Sequence, residues 1–90
     1  MPQRRHPVDE STIRTRVRAL MGNDNLPRFG PRLWAARACK SPHACIVCTA
    51  TIRVGEKEFE ARMPGDVLLF LHRRCFEIWT DVAAGGDGLR

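Results

Sequence analysis

The sequence lacks long apolar runs. A helix that spans a bilayer needs roughly 20 consecutive apolar residues, and a run such as Val67–Leu71 stops after five. No apolar segment follows Arg4 and Arg5, so the N-terminus does not read as a secretory signal. The expected location is therefore the cytoplasm, with no membrane partner. Catalytic motifs are missing as well. There is no His-Glu-x-x-His, no phosphate-cradling glycine loop, and no His-x-Glu ahead of a Pro-Cys-x2-Cys pair of the kind zinc deaminases carry. Ser11 and Ser41 have no recognisable base partner. Internal repeats are absent, and the only biased stretch is the glycine-containing end, Ala83–Arg90. These absences point away from an enzyme and toward a small binding module.

With 90 residues the chain makes one domain at most, of a size that often needs a covalent or metal staple. The expected organisation is a flexible basic N-terminus over 1–10, one domain over 11–82 and a flexible tail over 83–90. Within the domain, 11–40 is the helical N-terminal part and 43–82 the metal-binding part. The net charge of +5 is unevenly spread. Residues 1–40 hold nine Arg or Lys against three Asp or Glu, and residues 41–90 hold six against seven. Arg14, Arg16, Arg18, Arg28 and Arg32, with Arg4 and Arg5, are thus candidate contacts to phosphate or to an acidic partner. A solvated basic surface is the plainer reading of the same residues.

Local patterns divide the domain further. Ile13, Val17 and Leu20 fall at i, i+4 and i+7, which predicts a helix over Thr12–Met21 with Asp9 or Ser11 as its cap. Such a short helix needs a surface to dock on, either the rest of the chain or a second copy in a homodimer. Asn23–Pro31 reads as a loop and Arg32–Cys39 as a second short helix anchored by Leu33 and Trp34. Ile52–Val54 reads as a short extended piece. Lys57–Met63 alternates, with Phe59, Ala61 and Met63 on one side and a solvated face bearing Glu58 and Glu60 on the other. Pro64–Asp66 is a turn. Val67–Leu71 is apolar on both faces, so a central strand is expected. Arg74–Val82 reads as a helix that packs Phe76 and Trp79.

The four cysteines carry the chemistry. Cys45-x2-Cys48 is followed after 23 residues by His72-x2-Cys75. In a reducing cytoplasm such cysteines are metal ligands or free thiols sooner than disulfides. Zinc favours four Cys or His donors in a tetrahedron, and structural sites fill every position with protein. A Cys-x2-Cys knuckle, a hairpin and a helix starting near His72 would bring Cys45, Cys48, His72 and Cys75 around one structural Zn²⁺. The expected fold is a small α+β zinc-stabilised domain: a treble-clef-like knuckle, β-hairpin and C-terminal helix, with a docked N-terminal helix. A lone Cys-x2-Cys pair is also the signature of thioredoxin-like redox sites, but no βαβ pattern surrounds this one. An iron–sulfur cluster would favour Cys over His72. His43 is an alternative donor to His72, and Cys39 reads as a small core residue.

The stretch Cys45–Trp79 resembles the first zinc module of a LIM domain, with its Cys-x2-Cys, a spacer near twenty and His-x2-Cys. No cysteine follows in Asp81–Arg90, so the likeness covers one module only. The whole chain is similar to a group of small bacterial zinc-knuckle proteins. The shared features are the Ile13–Leu20 helix, the Leu26–Arg28 loop, the Cys45–Cys48 knuckle and the His72–Trp79 segment. These resemblances imply a zinc-bound fold, and the LIM-like part implies protein binding. An adaptor for an unidentified protein is therefore the first functional expectation, with nucleic-acid binding through the arginines as the alternative.

Overall fold

The computed structural model describes residues 9–85. The proposed flexible ends lie mostly outside that range, as do Arg4, Arg5 and His6. Structure reaches slightly into both, because Asp9 caps a helix and the last helix continues to Ala83.

The chain forms a small mixed α+β domain. Helix α1 spans Glu10–Gly22. Strands β1 (Leu33–Ala38), β2 (His43–Ala44), β3 (Thr51–Ile52), β4 (Lys57–Met63) and β5 (Val67–His72) follow, and helix α2 spans Arg73–Ala83. The Asp9 side chain accepts from the Thr12 amide at 3.1 Å and so satisfies one of the orphan donors of α1. Ile13 and Val17 are buried, and Leu20 packs beside them. This stripe is covered by the chain's own α2. Arg14 ties the two helices at the surface, bonding Asp81 at 2.7 Å and Glu10 at 3.0 Å.

β1, β4 and β5 form one antiparallel sheet in that order, while β2 and β3 pair separately. The turn between β4 and β5 uses Gly65 and Asp66, both at positive φ, a conformation glycine and aspartate tolerate better than most residues. Side chains alternate across a sheet, and the register Glu58↔His72, Phe59↔Leu71, Glu60↔Phe70 sorts them into two faces. Phe59, Ala61, Leu69 and Leu71 share the face that meets α2. There Trp34, Phe59, Phe76 and Trp79 form a continuous aromatic cluster, with centroids 4.9 Å apart for Trp34–Phe76, 4.5 Å for Phe59–Phe76 and 6.1 Å for Phe76–Trp79. Trp79 is fully buried, and its indole N–H donates to the Pro27 carbonyl at 3.1 Å, pinning the loop after α1 to α2. Leu26 fills the core beside it.

Three expectations are corrected. Residues Leu33–Ala38 are a strand, not a helix. The alanines there favour a helix locally, but the full register against β4, from Leu33↔Arg62 to Ala38↔Lys57, overrides that preference. Leu33 and Trp34 accordingly do not anchor a helix. They are 64% and 52% exposed, although the Trp34 ring still meets Phe76 at a tilt of 53°. The central strand is β4, and the more apolar β5 lies beside it with Val67 and Leu68 exposed. Finally, Glu58 is not solvated. It is only 3% exposed, because the β2–β3 pair covers its face at that end of the sheet.

Trp79 joins the sheet, both helices and the Pro27 loop, so its truncation removes a large buried volume and a hydrogen bond together. Trp79→Ala should destabilise the protein by about 3–5 kcal/mol, read by denaturant unfolding with zinc present. A loss under about 1 kcal/mol would mean that this cluster does not organise the core.

Candidate metal centre

Cys45–Thr49 forms a tight reversal. The Thr49 amide donates to the Cys45 carbonyl at 3.0 Å, and the Cys45 amide donates to the Ala50 carbonyl at 3.0 Å. The Ile46 amide reaches the Phe70 carbonyl at 3.0 Å, which fastens the knuckle to β5. The same strand ends at His72, the N-cap residue of α2, and Cys75 sits in that helix's first turn. A thiolate there benefits from the positive end of the helix dipole.

The result is that one ligand atom from each of Cys45, Cys48, His72 and Cys75 lies within 4.8 Å of the others. The three cysteines are buried and carry free thiols. Zn–S bonds of 2.3 Å in a tetrahedron require S···S separations of about 3.8 Å, so the spacing suits a single small ion. The imidazole is already oriented. Its Nε2 lies 3.3 Å from the Thr51 carbonyl, which can only accept, so that nitrogen carries the proton. In the neutral imidazole Nδ1 then turns its lone pair toward the sulfurs, 3.4 Å from Cys48 Sγ, whereas the protonated ring donates to them. A backbone carbonyl that fixes the tautomer in this way is the usual support of a metal-bound histidine.

The electrostatics favour a dication. A hydrogen bond from Cys75, and a further one from His72, pull the Cys45 thiol down to about 3 despite its burial. The Cys75 thiol is pushed far up, first by that same hydrogen bond and then by desolvation. Burial, and next the neighbouring Cys45 charge, push Cys48 up. His72 is raised chiefly by its hydrogen bond to Cys45. One thiolate thus forms readily and the next two are opposed, because like charges crowd in a poorly solvated pocket. A bound dication removes that conflict and allows all three to ionise. Arg16 adds positive charge outside the knuckle, donating to the carbonyls of Val47 at 3.3 Å and Cys48 at 3.5 Å.

A second donor group lies outside this centre, and no sequence spacing marks it as a unit. Cys39, His43 and Glu58 also place one ligand atom each within 4.8 Å of one another. His43 therefore does not substitute for His72. It faces Glu58 through Nδ1 and stacks on Phe70, with ring centroids 3.8 Å apart. Cys39 is buried, as expected, but it follows a strand and not a helix. Burial and then the neighbouring Glu58 carboxylate raise its thiol. The missed signal was Glu58: strict alternation along β4 assigns it to the outer face, and only the fold shows that this face is covered there.

The arginines are dispersed. Arg14 faces Asp81 and Glu10, Arg16 turns to the knuckle carbonyls, and Arg28 bonds the Met21 carbonyl at 3.2 Å. Arg18 is exposed on α1, and Arg32 lies over the Phe29 ring at 4.7 Å. They do not form one continuous edge. Comparisons of the chain with protein-family models, with curated proteins and with solved structures give no match.

The knuckle holds Thr49 at φ 66°, a left-handed conformation that a β-branched residue adopts at a cost. Thr49→Gly should relieve that strain and stabilise the protein by about 1 kcal/mol. An unchanged or lowered melting midpoint would show that the Thr49 hydroxyl's bond to the Cys48 carbonyl outweighs the strain.

Proposed function

We propose that the protein is a zinc-stabilised protein-interaction module with no catalytic role, in which Cys45, Cys48, His72 and Cys75 hold one structural Zn²⁺. The reading of a closed structural site rests on the donor set. Four protein donors leave no position for water or substrate, and three of them are buried. The LIM-like arrangement of knuckle, hairpin and helix fits the same role.

The observation that carries the interaction role is strand β1. All six of its residues are exposed, and among the described residues it pairs on one side only, with β4. An open edge offers unpaired backbone groups to an incoming strand. Beside it lies a cleft of about 540 Å³ lined by Pro27, Phe29, Leu33, Met63 and Trp79. Arg32 lines this cleft and pairs with no carboxylate among the described residues. The occupant these features suit is an extended segment of another protein that adds a strand to β1. It would place apolar side chains in the cleft and a carboxylate against Arg32. The nucleic-acid alternative draws less support, since Arg14 and Arg16 are committed to groups of the protein itself.

Protein purified without added metal should contain one Zn²⁺ per chain by elemental analysis. Cys48→Ser and Cys75→Ser should each abolish the bound ion and the cooperative melt, because metal binding at such a site is coupled to folding. Cys39→Ser should keep the ion. A folded parent protein with less than half an equivalent of zinc refutes the structural-zinc reading. For the interaction surface, peptides selected for binding to the zinc-loaded protein should shift the amide resonances of Leu33–Ala38 and lose affinity in Arg32→Glu. Shifts confined to other elements would move the docking surface away from β1.

A further inference from the structure

Cys39, His43 and Glu58 have no part in the four-donor centre, and their placement is unusual for residues without a shared task. Each comes from a different piece of chain: the residue after β1, the first residue of β2 and the second residue of β4. Their ligand atoms nevertheless converge within 4.8 Å. The carboxylate is almost wholly buried, whereas the His43 side chain is 34% exposed, so the group is reached from one side by solvent.

We propose that these three residues form a second site for a divalent transition metal of the zinc class, with one coordination position open to solvent. Thiolate, imidazole and carboxylate are each accepted ligands of such an ion. Charge balance supports the assignment. A thiolate, a carboxylate, a neutral imidazole and a dication sum to zero, which is the cheapest state for a poorly solvated pocket. By the same count, the four-donor centre with Zn²⁺ carries −1. Three protein ligands among the described residues leave a fourth place for water or an exchangeable anion, the arrangement that distinguishes reactive or transient sites from structural ones.

The surroundings already orient the donors. The Cys39 sulfur lies 3.0 Å from the Ser41 carbonyl and 3.5 Å from the Ile52 carbonyl. His43 is held flat by its stack on Phe70, at an interplanar angle of 3°. The two donor groups are neighbours through the backbone. Glu58 and His72 are directly opposed in the β4–β5 register, so their side chains leave the same face of the sheet. β3 runs between the groups. Its Thr51 carbonyl faces His72, and its Ile52 carbonyl faces Cys39. The bare alternative is a buried hydrogen-bonded trio, in which His43 pairs with Glu58 and the Cys39 thiol donates to the two carbonyls. That trio takes up no ion, so the two cases separate experimentally.

The test is a Co²⁺ titration of full-length protein whose zinc content has first been fixed by elemental analysis at one equivalent. The expected result is uptake of one equivalent of Co²⁺ without release of zinc, with a thiolate-to-cobalt charge-transfer band weaker than that of a three-thiolate site. Glu58→Gln and His43→Gln, which keep the side-chain volume and hydrogen-bonding capacity, should take up little or no Co²⁺ while retaining the first zinc. Cys39→Ser should lose the charge-transfer band even where some Co²⁺ still binds. The proposal is overturned if the folded parent takes up no Co²⁺, or if uptake persists unchanged in both Glu58→Gln and His43→Gln. A protein isolated with no zinc at all would count against the four-donor centre instead, and the parent–variant difference in Co²⁺ uptake would still decide the second site.

Discussion

Three thiols and an imidazole gathered at one point set the terms for the rest of the molecule. Elements that are far apart in sequence must all end there: the knuckle between β2 and β3, the last residue of β5 and the first turn of α2. Once those ends are fixed, the β4–β5 hairpin has one register, and α2 has one place to lie against the sheet. The aromatic cluster of Phe59, Phe76 and Trp79 then fills the angle between them. A core of this size supplies few kcal/mol on its own. An ion held by four donors at one point would couple its binding to folding and add to that figure.

The same geometry divides the sheet by task. One face, built from Phe59, Ala61, Leu69 and Leu71, is apolar and meets α2. The other carries Glu58 and His72 at one end, where the β2–β3 pair and the knuckle cover it. Beyond that cover the sheet ends in β1, whose outer edge has no partner strand among the described residues. Natural sheets commonly protect such an edge with charge or a bulge. Here only Arg37 among its six residues is charged, and it pairs inward with Glu60 at 3.0 Å. The edge is lightly defended, and it runs beside an apolar cleft. The four-donor cluster and the edge strand sit at different places on one small sheet.

Much of this was legible in the sequence because local rules sufficed. The i, i+4, i+7 stripe of α1, the Pro64–Asp66 turn and the amphipathic α2 are each set by neighbours in sequence. The donor spacing pointed to a common point for Cys45, Cys48, His72 and Cys75, which the fold does bring together. What escaped were features decided by distant pairing. Leu33–Ala38 has helical composition, and only six partners on β4 make it a strand. Glu58 follows a polar alternation, and its burial depends on a two-residue strand folding over it. Cys39 and His43 stand singly in the sequence, and nothing in their spacing announces that a residue of β4 will meet them.

On the proposed reading the four donors close around one zinc ion. X-ray absorption at the zinc edge, on protein carrying a single equivalent, reads that coordination shell. The expected shell is three sulfur scatterers near 2.3 Å and one nitrogen at about 2.0–2.1 Å, with no bound water. A shell dominated by nitrogen and oxygen, or one with two sulfurs and a water, would contradict it.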